Sequence, residues 1–206
     1  FTISIILFLL LCIGAGAQYT IINGHFEGNI AGWDGTPVDG RENGPFQGTA
    51  AYQAINSSND TAYPSSGSVL FTADSGACSL SQQLGFNAEG QTLSVSADIA
   101  WDGSWTNLYF GFYEDNVWNR IEGASIEITP SLVPPDTDGV LDSFTRVCIK
   151  DVTLTNTGNP VRVYFGTSCS PGWGGANVGT SIAVDNVVPY YDPIIPTEAK
   201  NWYLYY

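Results

Sequence analysis

The chain has 206 residues, a formal net charge of −14, 23 glycines and 13% aromatic residues. That length suits one domain with a tail, and a chain this acidic excludes nucleic acid and anionic membranes as partners. Abundant Gly, Ser, Thr, Val and aromatics, against 6 Lys and Arg together, favour an all-β fold with many turns.

Residues 1–13 are almost wholly apolar, and Ala15-Gly16-Ala17 follows. A run this short, ending in an A-x-A pattern, predicts a signal peptide over residues 1–17, cleaved before Gln18. A membrane span needs about 20 apolar residues. The mature chain is therefore expected outside the cell or on its surface, where disulfides form. Cys12 leaves with the signal, and Cys78, Cys148 and Cys169 allow three pairings with one thiol left over. Cys148 and Cys169 sit near the outer ends of a predicted hairpin, which favours that pair. A zinc site is not expected, because the spacing is wrong and His25 is the only histidine.

The mature chain opens on Ile21-Ile22, turns at Asn23-Gly24, and sets Phe26 and Trp33 around a glycine-rich bend. Residues 35–64 are mostly turn-forming, around a short strand near 50–55. Asn56-Ser57-Ser58 and Asn59-Asp60-Thr61 are N-glycosylation sequons for a chain made by a eukaryote. Residues 68–72 and 79–84 read as the next two strands.

The clearest strand is 92–101, where Leu93, Val95, Ala97, Ile99 and Trp101 alternate with Thr92, Ser94, Ser96, Asp98 and Ala100. Residues 102–105 make a turn and 106–113 return, with Leu108, Phe110 and Phe112 inward and Asn107, Tyr109, Gly111 and Tyr113 outward. Read as a hairpin, this places Asp98 opposite Tyr109, and a slip of one residue would bury the tyrosines. A short strand within 117–128 and a proline-rich loop over 130–139 follow. The strand at 144–154 carries a bulge at Lys150-Asp151, where the apolar phase shifts from Val147 and Ile149 to Val152 and Leu154. Val161, Val163 and Phe165 mark another strand, with Arg162 and Tyr164 outward. Residues 168–179 form a glycine-rich loop carrying Trp173, and 182–188 read as the last strand. Pro193 and Pro196 predict a tail or linker over 191–206, a point of attachment for a further module or assembly partner. Residues 18–190 are thus expected to form an all-β, jelly-roll β-sandwich of about eight antiparallel strands.

Two patches carry a family likeness. Asn23-Gly24-His25-Phe26-Glu27 with Gly32-Trp33, and Val184-Asp185-Asn186-Val187, resemble the first and last strands of galactose-binding-like β-sandwich modules. That superfamily includes many secreted carbohydrate-binding modules. The resemblance implies that the strand containing Val163 lies beside the one containing Ser96, so that Arg162 and Tyr164 join Asp98, Tyr109 and Tyr113 on one concave face. It also implies a structural calcium between the opening and closing strands, at Glu27 and Asp185, which are hard oxygen ligands of the kind calcium takes.

The outward platform suits sugar. Aromatic faces bind the C–H faces of a sugar ring, and carboxylate, amide and guanidinium groups bind its hydroxyls. Asp98, Asn107, Tyr109, Tyr113, Arg162 and Tyr164 are the candidate ligand-binding residues, with Trp101, Trp105, Trp118 and Trp173 near strand ends or in loops. Catalysis is not expected: His25 sits in the opening turn, and nothing singles out a carboxylate pair among Glu114, Asp115, Glu122 and Glu127. The leading expectation is a secreted, non-catalytic carbohydrate-binding module. The alternative is an extracellular structural or adhesive protein using the same fold without binding glycan.

Overall fold

A computed structural model describes residues 19–36, 48–73, 79–105, 108–114, 125–156, 158–167 and 179–190. The expected signal peptide and the 191–206 tail lie outside the described residues, as do Cys78, Cys169, Asn107, Trp118 and Trp173. The described residues contain no helix and ten strands. These are β1 (Asp34–Thr36), β2 (Gly48–Gln53), β3 (Ser68–Ala73), β4 (Ser79–Asn87), β5 (Thr92–Trp101), β6 (Leu108–Glu114), β7 (Ser125–Glu127), β8 (Thr145–Thr153), β9 (Pro160–Thr167) and β10 (Ser181–Pro189). They form two antiparallel five-stranded sheets. The front sheet has the order β1-β4-β9-β6-β7, and the back sheet has the order β2-β3-β10-β5-β8. The β-sandwich expected from the alternation is the fold observed.

Period-two alternation explains the core. Leu93, Val95, Ala97, Ile99 and Trp101 of β5 face Leu108, Phe110 and Phe112 of β6 and Val161, Val163 and Phe165 of β9 across one shared apolar interior. Phe110 and Phe165 stack at 4.7 Å between ring centroids. Each such buried ring contributes roughly 1.5–3 kcal/mol over leaving it exposed.

The pairing differs from the expected hairpin. β5 lies between β10 and β8 in the back sheet, while β6 lies between β9 and β7 in the front sheet. Alternation fixes which face is buried, and both arrangements satisfy it equally. The link between the two strands decides the matter. Ser104 donates from its backbone N–H and its hydroxyl to Asp102 Oδ1, with Gly103 at φ 75°. Trp105 then plugs the core, fully buried, 5.9 Å from Phe71 of the back sheet. The chain crosses from one sheet to the other at that indole. In the same way β9 pairs with β4 and β6, not with the strand containing Ser96, and β8 and β9 do not form a hairpin.

The bulge expected at Lys150-Asp151 is present. Leu93 pairs with Val152 and Val95 with Ile149, so β8 has one extra residue there, with Asp151 at φ 55°. The opening stretch is a run of turns held at both ends. Asn23 accepts the Glu27 N–H on its Oδ1, and Gln82 of β4 bonds both the N–H and the carbonyl of Ile22. Gly24 meets the closing strand: its carbonyl accepts the Val187 N–H at 2.8 Å. A Cβ on Gly24 would lie 2.0 Å from the Val187 carbonyl oxygen, so only glycine fits. The two patches that carried the family likeness are therefore in contact.

Candidate functional site

The outer face of the front sheet gathers four of the six candidate ligand-binding residues. β6 and β9 are neighbours, in a register that sets Tyr113 opposite Arg162, Gly111 opposite Tyr164 and Tyr109 opposite Gly166. Because Leu108, Phe110, Phe112, Val161, Val163 and Phe165 point into the core, Tyr109, Tyr113, Arg162 and Tyr164 point away from it. Beyond β9, β4 brings Ser81 opposite Tyr164 and Gln83 opposite Arg162. On the other side, β7 brings Glu127 opposite Tyr109. Arg162 donates to Ser81 Oγ at 3.4 Å.

This face is uneven. Tyr113 and Tyr164 meet edge to face at 6.2 Å and are 7% and 3% exposed, so their rings are closed to a ligand's flat face. Tyr109 and Arg162 are half-buried, and Gln83 and Glu127 are exposed. The accessible part is thus the Tyr109 ring with the Glu127 carboxylate opposite it and, four residues further along the strands, the Arg162 guanidinium with the Gln83 amide opposite it. Gln83 and Glu127 were not picked out from the sequence. Their place follows from strand neighbours far apart in the chain, which alternation alone does not reveal.

Asp98 does not belong to this platform. It lies on the outer face of the back sheet, directly opposite Asp185 in the β5–β10 register. Both are fully buried. Asp98 accepts bonds from Arg146 Nη1 at 3.1 Å and from Asn186 Nδ2 at 3.1 Å, so its carboxylate is a structural acceptor. Arg146 also donates to the Asn186 carbonyl at 2.9 Å. Further along this sheet the 129–144 connection lies over the same face, with Leu141 packed on Ala100 and Ala183.

Asp185 accepts the backbone N–H of Ser57 on one oxygen and that of Asn186 on the other. It has no cationic partner among the described residues. Its pKa is pushed up to about 7, first by burial, against those two N–H groups and with Asp60 and Asp98 adding to the rise. Asp60 is itself buried and hydrogen-bonded to His25 Nδ1 at 2.8 Å, a contact that the sequence did not reveal. Glu27 is exposed, and its carboxylate makes no hydrogen bond among the described residues. Among the described residues no three His, Cys, Asp or Glu side chains converge as a metal site. The segments that carry Glu27 and Asp185 meet where the Gly24 carbonyl accepts the Val187 N–H.

Cys148 is a free, half-buried thiol. It lies opposite Ser96 in the β5–β8 register, and its expected partner Cys169 lies outside the described residues. Glu114, one of the carboxylates considered for acid–base work, is fully buried and bonded to the N–H and hydroxyl of Thr155. Among the described residues no helix is long and apolar enough to cross a membrane.

No protein-family model matches the chain, and no curated protein matches it. Solved structures do. The enzymatically active domain of bacteriophage CBA120 tailspike protein 4 is similar at a TM-score of 0.50 and 18% identity, over 83% of this chain. The chain spans 21% of that domain's length. The family 11 carbohydrate-binding module of the cellulosomal cellulase Lic26A-Cel5E of Clostridium thermocellum matches at a TM-score of 0.49 and 12% identity, over 85% of this chain and 95% of that one. The CBM22-1-GH10 modules of Clostridium thermocellum xylanase 10B, complexed with xylohexaose, match at 0.48 and 12%, over 82% of this chain and 28% of that one. The likeness is one of fold alone.

Proposed function

We infer that the protein is a secreted, non-catalytic carbohydrate-binding module whose glycan lies on the outer face of the front sheet. The observation that carries this reading is Tyr109 on that face, half-exposed, with Glu127 opposite it and Arg162 and Gln83 four residues further along the same face. The tyrosine ring would take the C–H face of one sugar and Glu127 its hydroxyls, while Arg162 and Gln83 would take the hydroxyls of a sugar further along the glycan. The buried Tyr113–Tyr164 pair would stiffen the floor beneath. Among the solved structures of similar fold, one is a carbohydrate-binding module and another holds a xylohexaose. A glycan array on the purified chain, followed by titration of the best glycan, tests the reading. Binding lost in Tyr109→Ala supports it, and no glycan bound by the native chain refutes it.

The second reading is an extracellular structural or adhesive protein. It draws on the burial of Tyr113 and Tyr164, which sit on the outer face yet serve packing. Assembly of the chain into multimers without glycan affinity would favour it. On either reading Glu27 and Asp185 would hold a calcium ion, supplying the positive charge that Asp185 lacks and tying the opening turn to β10.

A further inference from the structure

The connection between β2 and β3 carries both N-glycosylation sequons, and their two asparagines differ in what they do. Asn56 is half-buried and engaged at both ends of its carboxamide. Its Nδ2 donates to the Tyr63 carbonyl at 3.2 Å, and its Oδ1 accepts the Ser66 hydroxyl at 2.9 Å. It braces the turn in which the Ser66 N–H meets the Tyr63 carbonyl at 3.0 Å. Its neighbour Ser57 is buried and bonded to Asp185. Asn59 is exposed, and its side chain makes no hydrogen bond among the described residues. Between Asn59 and Thr61, Asp60 points inward to His25 and to the Tyr63 N–H at 3.2 Å. Asn59 and Thr61 are both exposed.

We propose that Asn59, and not Asn56, carries the N-glycan when this chain passes through a eukaryotic secretory pathway. The acceptor amide and the hydroxyl two residues on are read together, and Asn59 and Thr61 present both to solvent. In the transfer, Asn59 Nδ2 attacks the anomeric carbon of a lipid pyrophosphate-linked oligosaccharide. The N–C bond forms as the C–O bond to pyrophosphate breaks, Nδ2 gives up one proton, and the lipid pyrophosphate leaves. A glycan on Asn56 would pull that side chain out of its brace and open the loop that covers Asp185, so chains modified there would not complete the fold. Two glycans only three residues apart would also crowd one another. A glycan at Asn59 stands on the loop joined through Ser57 to the back sheet, and it leaves the Tyr109 face clear.

The test is the full chain secreted from cultured insect or mammalian cells behind a host signal sequence. Glycans are released enzymatically in ¹⁸O-water, and the peptide covering 54–67 is sequenced by mass spectrometry. The expected result is labelled aspartate at position 59 and unmodified Asn56. Thr61→Ala should abolish the glycan's mass shift, and Ser58→Ala should retain it; both positions are exposed, and both variants should be secreted. If a variant is not secreted, the native peptide decides. Label at position 56, at both positions, or at neither overturns the proposal.

Discussion

The two outer faces of the sandwich look alike in sequence and differ in kind. Each is built from the positions that alternate with core residues, and each carries acids, hydroxyls and an arginine. On the back sheet these groups are closed on one another: Asp98 with Arg146 and Asn186, and Asp185 with two backbone N–H groups. On the front sheet Tyr109 and Arg162 are half-open, with Gln83 and Glu127 exposed beside them. A buried carboxylate presents nothing to a sugar lying on the surface, whereas a half-exposed group can exchange water for sugar. Polarity on an outward face is therefore no guide to binding until its partners are known.

Arg146→Ala should break the comparison hardest. It leaves the buried Asp98 carboxylate with one of its two partners gone, and depriving a buried charged acceptor of a partner costs about 3 kcal/mol. Chemical denaturation should show that loss, while the folded variant binds glycan as the native chain does. Gly24→Ala should cost somewhat less, about 2 kcal/mol, because the added methyl meets the Val187 carbonyl and must push the opening turn off β10. It too should spare glycan binding, since it acts at the opening turn and not on the Tyr109 face.

The proton at Asp185 gives a smaller effect with a defined direction. Its folded pKa lies at about 7, above the ordinary 3.8. The folded state therefore holds the proton more tightly than the unfolded chain does. The stability this contributes is complete below about pH 4 and is lost as pH rises through 7. In excess chelator the melting temperature should carry this downward component between pH 4 and 7. Calcium, which favours the ionised carboxylate, should raise it more at pH 8 than at pH 5. At a hundredfold excess over Kd the linkage is worth about 2.7 kcal/mol. Equal melting curves with calcium and with chelator at pH 8 would remove calcium from Asp185 and Glu27.

Much of the fold was legible because burial has a period. The inward sets of β5, β6 and β9 and the bulge at Lys150-Asp151 follow from patterns within a few residues, whereas the pairing of the Gly24 and Val187 patches was legible only through the family resemblance. Strand neighbours were not legible. Leu108, Phe110 and Phe112 are equally inward whether β6 pairs with β5 or crosses to the other sheet, and the choice rests on Trp105 filling the end of the core. That ambiguity put Asp98 on the front face, whereas it lies on the back sheet. Arg162 and Tyr164 were placed with Tyr109 and Tyr113, and they do lie there, but beside β4 and β6 instead of β5. The His25–Asp60 pair left no local trace, since 35 residues separate its members.

The central claim is that glycan binds the front face and not the back. Calorimetric titration of the best array glycan against Tyr109→Ala and Arg146→Ala, each at a temperature where it is folded, tests it most directly. Truncating an aromatic contact at the centre of a binding face costs about 2 kcal/mol, so Tyr109→Ala should bind at least tenfold more weakly, and Arg146→Ala should match the native chain. Native affinity in Tyr109→Ala, or a tenfold loss in folded Arg146→Ala, would contradict the account.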